Sequence, residues 1–164
     1  MKNRKNQGFT LIEILIVIGI IAILAAVVLV AINPARQFAQ ANDSQRTSNT
    51  SAILNAIGQY IADNRGALPG DITSMTAGDV GTIANDDIDI CVDLVPTYLP
   101  ALPTDPKSDH EGISMEVGDC GDYDTGYEIS KDDNGRITVS APETEVDHDN
   151  DGDLDADDVI FITR

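Results

Sequence analysis

Basic residues are scarce in this chain of 164 residues, which has 10 Lys and Arg against 28 Asp and Glu and a formal net charge of −18. The imbalance is concentrated after residue 70, where four basic residues stand against 25 acidic ones. Such a surface repels phosphate backbones and anionic lipid headgroups, which disfavours nucleic-acid binding, and we predict no nucleic-acid partner. Metal cations are the partners that this charge favours.

Histidine and recognisable catalytic motifs are equally sparse. The two histidines, His110 and His148, lie far apart in sequence with no nucleophile pattern around either, and the chain has no glycine-rich phosphate loop. We therefore predict no catalytic residue and no enzyme activity. The chain is long enough for one small globular domain besides an N-terminal apolar segment.

Only two cysteines occur, Cys91 and Cys120. Both follow the apolar segment, in the part that we expect to be exported, where an oxidising medium lets thiols pair. A metal-binding pair is the alternative, but two thiols 29 positions apart without a histidine cluster make a poor zinc site. We favour the disulfide, which would stabilise the fold by about 3.5 kcal/mol in the chain-entropy description.

One apolar run of membrane length, residues 8–32, contains a single carboxylate, Glu13, near its start. An ionised side chain in hydrocarbon costs at least about 2.5 to 3.5 kcal/mol, so Glu13 marks a functional site. The nearest counter-charge would be the amine created by cutting the chain just before Phe9. Basic residues ahead of the run place the N-terminus in the cytoplasm: Lys2, Arg4 and Lys5.

The apolar run is preceded by a short basic leader, residues 1–8, whereas an ordinary signal peptide is cut after its apolar region. Together with the residues Gly8-Phe9-Thr10-Leu11-Ile12-Glu13, this arrangement resembles the type IV pilin and pseudopilin family. The resemblance implies cleavage after Gly8 by a prepilin peptidase and methylation of the new Phe9 amine. It also implies that Glu13 pairs with the amine of a neighbouring subunit during assembly.

The same resemblance implies a structural subunit, held by a single pass in the inner (cytoplasmic) membrane, that then polymerises with itself into a type IV pilus-like filament at the cell surface. Its partners would be other copies, the prepilin peptidase and the pilus or secretion assembly machinery. Two alternatives stay open. One is a major pseudopilin of a type II secretion system that drives protein export. The other is a monomeric, membrane-anchored calcium-binding surface protein, whose mature chain would begin at Met1 or after Ala26 or Ala31.

The pattern of the chain predicts an α+β fold, in which a long N-terminal helix, membrane-spanning in its first half, packs on a small antiparallel sheet. We divide the chain into a leader (1–8), a transmembrane and assembly helix (9–32), an amphipathic helix that docks on the head (33–66) and an acidic head (67–164). The helical pattern reaches about Asn64, with a bend at Asn33-Pro34 and a stop at Leu68-Pro69-Gly70.

Two faces of this helix have predicted contacts. One face has small residues three and four apart, which let helices approach closely in lipid: Gly19, Ala22, Ala25 and Ala26. Alternatively, this face merely contacts lipid. An apolar stripe at helical spacing should pack on the head: Ile53, Leu54, Ile57, Tyr60 and Ile61.

The head is predicted to consist of loops and short strands. Residues 71–93 indicate a loop region with a short helix or strand, and prolines between Leu94 and Pro106 indicate a rigid loop. Within it, Leu102–Pro106 is similar to the Leu-Pro-x-Asp-Pro stretch of many pilin and pseudopilin heads, although the Trp-Gly and Pro-Tyr-x-Tyr motifs of major pseudopilins are missing. Strands are predicted at 113–117, 126–130, 136–140 and 159–162, with Asn134-Gly135 supplying positive φ for a tight turn.

The acidic segment 147–158 fits the calcium-loop pattern, with carboxylates at positions one, three, five and twelve and glycine at six. The predicted side-chain ligands are Asp147, Asp149, Asp151 and Asp158, joined by the Asp153 carbonyl and by Asp155 directly or through water. A Ca²⁺ ion bound there would be structural. A disordered acidic linker is the alternative, and we interpret the acidic clusters at 86–89 and 119–124 as surface solvation.

Overall fold

The computed structural model describes residues 8–107, 120–147, 154–155 and 158–164, without the side chains of residues 30–32. The chain divides into two units, Met1–Phe38 and Ala39–Arg164. The fold is α+β, as predicted. Its helices and strands, in chain order within each class, are α1 (Leu11–Ile32), α2 (Pro34–Asp63), α3 (Cys91–Leu94), β1 (Val80–Ala84), β2 (Asp124–Lys131), β3 (Ile137–Ala141) and β4 (Ile160–Thr163).

The predicted bend is a break of one residue between two helices. Asn33 has a left-handed φ of 42° and ends α1, a conformation that asparagine tolerates better than most residues. Pro34 is the first residue of α2. Proline is favoured there because its missing N–H has no helical acceptor in the first turn and its fixed φ suits the helix.

The second helix ends close to its predicted end, but a different signal stops it. The last helical residue is Asp63, and Arg65 and Gly66 have φ values of 58° and 93°. The Gly66 N–H donates to the Ile61 carbonyl at 2.8 Å, which is the closing bond of a Schellman motif. The helix therefore stops before Leu68-Pro69-Gly70, because a left-handed turn has already satisfied its last carbonyls.

Within the described residues, the sheet has four strands in the order β1-β2-β3-β4, and each neighbouring pair is antiparallel. The predicted strands at 126–130, 136–140 and 159–162 correspond to β2, β3 and β4, whereas 113–117 lies outside the described residues. In the turn between β2 and β3 only Gly135 has positive φ, at 78°. The Asp132 carboxylate organises this turn by accepting the N–H groups of Asn134 and Arg136.

The core of the second unit lies between one face of α2 and the inward side chains of the sheet. Four side chains of α2 are buried there, and Tyr60 and Ile61 pack partly buried against the same cluster. Alternate residues of β2 and β3 supply the other side because successive side chains of a strand point to opposite faces. The buried residues of these elements include Ile53, Leu54, Ala56, Ile57, Tyr127, Ile129, Val139 and Ala141.

The region between α2 and β2 contains more regular structure than expected. It has a 3-10 turn at Gly70–Thr73, the edge strand β1 and the short helix α3. Leu94 ends α3, so the proline-rich loop begins one residue later than predicted, at Val95. The remainder of that loop, through Pro106, is neither helix nor strand.

Candidate functional site

The predicted cleavage site lies in non-helical backbone ahead of α1. Residues Gly8 to Thr10 are outside regular structure, and the Phe9 side chain is 81% exposed. A Cβ added at Gly8 would meet nothing within 4 Å. Among the described residues, the fold therefore gives no steric reason for glycine at this position.

Glu13 is hydrogen-bonded within its own chain in a capping box. The Thr10 hydroxyl accepts the Glu13 N–H at 3.3 Å, and Glu13 Oε2 accepts both the N–H and the hydroxyl of Thr10 at 3.3 Å. The carboxylate thus lies at the positive end of the α1 dipole, where negative charge is favourable. The sequence predicts an amine as its partner, and the structure adds Thr10, which holds one of the two carboxylate oxygens.

The surface of α1 is apolar and uncovered by the described part of the chain. Of the described helices only Leu11–Leu29 is both long and apolar enough to cross a bilayer, and none of it is buried. At about 1.5 Å per residue, the 22 residues of α1 match a hydrocarbon core about 30 Å thick. A Cβ at Gly19 would also meet nothing within 4 Å. The predicted small-residue face is therefore open to lipid or to another helix.

The structure contains the disulfide that the sequence favoured. Cys91, in the first turn of α3, is bonded to Cys120, which lies just ahead of β2, and their Cα atoms are 5.6 Å apart. Cys91 is fully buried. Its N–H donates to the Asp89 carboxylate, which also accepts the Tyr123 hydroxyl at 2.7 Å. Desolvation by burial, followed by the bond to Asp89, raises the pKa of Tyr123 above its ordinary value.

A buried ionic cluster around Arg46 was missed by the sequence analysis. The Arg46 side chain has no exposed surface, and its guanidinium donates to Asp43 at 2.7 Å, to Asp105 at 2.6 and 2.9 Å, and to Glu145 at 3.2 Å. Lys107 completes the cluster with a 2.8 Å contact to Glu145. These residues join α2 to the proline-rich loop and to the segment after β3, and so hold together three separate parts of the head.

The position of Arg46 on the buried face of α2 could have been read from its spacing in the sequence. Arg46 precedes Thr50, Ile53 and Ile57 at spacings of four, three and four, so it continues the apolar stripe of α2 toward the N-terminus. The surrounding stretch has poor helix propensity, yet it is helical throughout. Four hydroxyl groups in this stretch donate to backbone carbonyls three or four residues earlier, so they are hydrogen-bonded without breaking the helix: Ser44, Thr47, Thr50 and Ser51.

The charges of the cluster shift its pKa values. Burial by itself lowers the pKa of Arg46, but its hydrogen bonds to Asp105 and Asp43 outweigh burial and raise that pKa above its ordinary value. The hydrogen bond from Lys107, followed by that from Asn42, lowers the pKa of Glu145 to about 2. The Arg46 guanidinium and the Glu145 carboxylate therefore both remain ionised at neutral pH.

The predicted calcium loop is described only in part. Asp147, Asp155 and Asp158 are within the described residues, and Asp149, Asp151 and Asp153 are outside them. The Asp158 side chain, at position twelve, is buried and accepts the Asp155 N–H at 3.3 Å. The described residues contain no group of three or more potential metal ligands. His110 and His148 also lie outside the described residues.

The segment that contains the predicted cleavage site and Glu13 matches a known protein family. Residues 3–29 match the family described as the prokaryotic N-terminal methylation motif. No curated protein and no solved structure matches the chain. The matched segment contains Gly8, Phe9, the Thr10–Glu13 capping box and most of α1. The chain therefore carries a class III signal peptide at its N-terminus, consistent with a membrane-anchored, type IV pilin-like precursor.

Proposed function

We propose that this protein is a structural subunit that is cleaved after Gly8 and polymerises into a type IV pilus-like filament. The methylation motif at residues 3–29 carries this proposal. It is supported by α1, whose apolar surface the described part of the chain leaves exposed. Contact with lipid before assembly and with other helices after it would remove this surface from water in both states.

Processing would prepare Glu13 for assembly. Cleavage before Phe9 creates an ammonium group four residues ahead of Glu13, and methylation leaves its charge in place. Because the capping box uses Oε2, the second carboxylate oxygen is available to an ammonium group of a neighbouring subunit, as far as the described residues show. An ion pair formed in hydrocarbon offsets the cost of the buried carboxylate, and it would set the register of one subunit on the next.

The mass of the exported protein tests this processing. A mature chain that begins at Phe9, about 14 Da heavier than its sequence because of one methyl group, is the expected result. A chain that begins at Met1, or after Ala26 or Ala31, would instead support a monomeric surface protein and would refute the pilin-like role.

Replacement of Glu13 by alanine tests its part in assembly. The variant should insert into the membrane and be cleaved normally, because the apolar run is intact, but it should assemble poorly because the register ion pair is missing. Glu13→Gln is the matched control, since it retains the hydrogen bonds to Thr10 and loses the charge. Both variants should assemble poorly if the charge is what matters, and abundant filaments of normal length from Glu13→Gln would refute an ionic role for Glu13.

A major pseudopilin of a type II secretion system is the second candidate within the same class. The calcium-loop pattern at 147–158 favours it, whereas the Cys91–Cys120 disulfide and the missing Trp-Gly motif favour a pilus. Deletion of the gene separates the two functions: loss of surface filaments indicates a pilus subunit, and accumulation of normally secreted enzymes in the periplasm indicates a pseudopilin.

We also propose that the loop 147–158 binds a structural Ca²⁺ ion. The spacing of its carboxylates and glycine supports this proposal, as does the burial of Asp158 at position twelve. Calcium at about 100 times its dissociation constant would stabilise the head by about 2.7 kcal/mol. Asp151→Asn should abolish this stabilisation and Asp86→Asn should retain it. Identical unfolding temperatures in calcium and in chelator would refute the site.

A further inference from the structure

The two edges of the sheet differ in how their backbone groups are satisfied. At the β1 edge, the Thr82 N–H donates to Asp87 at 2.7 Å and the Thr82 carbonyl accepts the Ile88 N–H at 3.1 Å. The loop after β1 therefore covers its own edge in the middle of the strand. This arrangement is a common protection against the addition of another strand.

The β4 edge has no such cover within the described residues. Ile137 and Arg164 exchange both of their backbone hydrogen bonds at 2.9 Å. Because hydrogen-bonded pairs alternate along an antiparallel ladder, the N–H and C=O groups of Ile160 and Ile162 also point toward β3. The N–H and C=O groups of Phe161 and Thr163 consequently point away from the sheet. No hydrogen bond from the described part of the chain reaches them.

The side chains and charges of β4 also suit a partner strand. Phe161 is 63% exposed on the outer face, and Ile160 and Ile162 are half-buried on the core face. The stretch 159–164 has no carboxylate side chain and contains Arg164, in a head that is otherwise strongly acidic. This edge is therefore one place where a second copy can approach without placing two acidic side chains opposite each other.

We propose that β4 pairs with β4 of a second copy of this chain, antiparallel and centred on Phe161. Only like edges can meet, because the chain's own loop covers β1 at Thr82, so the contact is two-fold symmetric and closes as a dimer. In this register Phe161 lies opposite Phe161 of the second copy, and Ile160 lies opposite its Ile162. Apolar side chains then meet on both faces of the joined sheet.

This contact goes beyond the proposed filament and does not depend on it. A closed two-fold pair cannot propagate, so it joins heads that already exist and does not drive polymerisation. It uses residues of the second unit alone, whereas the polymerisation proposed above uses α1. A chain that is never cleaved should therefore still form it, and a failure to pair would leave the proposed function untouched.

Site-directed disulfide formation tests the pairing on the full-length chain in detergent micelles. Phe161→Cys should give a dimer of twice 17.5 kDa on non-reducing gels, because directly opposite strand residues lie within the Cα separation of a disulfide. Val80→Cys is the matched control: it is 62% exposed on the covered edge and should link severalfold less. Equal linking of the two variants, or a product of any other mass, would overturn the proposal.

The register has its own test. Thr163 should lie opposite Val159 of the second copy, whereas two Thr163 residues would be offset by four positions, about 13 Å. A mixture of Thr163→Cys and Val159→Cys chains should therefore form mixed dimers, and Thr163→Cys alone should stay monomeric. Linking of Thr163→Cys to itself at the level of the mixture would refute the Phe161-centred register. Monomers in every mixture would refute the pairing itself.

Discussion

The Arg46 guanidinium binds the Asp105 carboxylate through two hydrogen bonds, Nε to Oδ2 at 2.6 Å and Nη2 to Oδ1 at 2.9 Å. Both side chains are buried, and such two-point contacts combine strength with a fixed geometry. Asp105 belongs to Leu102–Pro106, the stretch similar to one in many pilin and pseudopilin heads. The contact assigns that aspartate a physical role in this chain, which is to anchor the proline-rich loop to α2.

Removal of the guanidinium should strongly destabilise the head. Arg46→Ala removes the guanidinium from the buried carboxylates of Asp43 and Asp105, and breaking a buried ion pair in this way costs about 3–5 kcal/mol of unfolding free energy. Urea denaturation of the wild type and of Arg46→Ala measures this difference in unfolding free energy.

Arg136→Ala is the control, because Arg136 pairs with Asp132 at 2.7 Å on an exposed surface. Loss of such an exposed pair should change the unfolding free energy far less than loss of Arg46. Equal effects of the two substitutions would contradict a structural role for the Arg46 cluster.

Acid should remove the contribution of Glu145. Its pKa falls from an ordinary 4.5 to about 2 in the folded head, first through the hydrogen bond from Lys107. A lowered folded pKa means that the unfolded chain binds the proton more readily, so the stabilisation is complete above about pH 5 and disappears as the pH falls toward 2. Unfolding at pH 6, 4 and 3 should show a stability gap between wild type and Glu145→Gln that shrinks at each step. A constant gap would contradict this linkage.

Gly70 should not tolerate a side chain. It has a φ of 48°, and an added Cβ would lie 1.9 Å from the Asp89 carbonyl oxygen, while its N–H donates to Asp93 at 2.6 Å. Left-handed strain and overpacking together predict a loss of about 2–5 kcal/mol for Gly70→Ala. Gly58→Ala is the control: nothing lies within 4 Å of its added Cβ in α2, and it should stabilise by about 0.5–1 kcal/mol. Thermal unfolding distinguishes them, and equal effects would exclude a steric role for Gly70.

The capping box should matter for assembly as well as for helix formation. Thr10→Val keeps the shape of the side chain but removes the hydroxyl that accepts the Glu13 N–H, at a cost of about 1 kcal/mol to the start of α1. Thr10→Ser retains the hydroxyl and serves as the control. The fraction of mature subunit that sediments with filaments should fall for Thr10→Val alone. Equal fractions for both variants would show that the box plays no part in assembly.

Sequence reasoning was most successful where local chemistry determines structure. Helical spacing identified the buried stripe containing Ile53 and Ile57, and Asn33-Pro34 identified the helix break. The Arg46 cluster was missed because two of its three acidic partners, Asp105 and Glu145, are 59 and 99 residues away, and their contacts depend on how the chain folds back on α2. The open β4 edge depends likewise on strand order, which no local pattern encodes.

The covalent bond between Cys91 and Cys120 turns the intervening stretch into a closed ring. A protease that cuts the ring once releases nothing, because both ends remain attached until the bond is reduced. Extra residues inside the ring would also be inexpensive, since doubling the length of a closed loop adds only about 0.6 kcal/mol of entropy cost. Because Leu94, Leu102 and Asp105 of the ring are buried, an insertion would have to leave their contacts in place, and under that condition the bond lets the head gain length without losing its core.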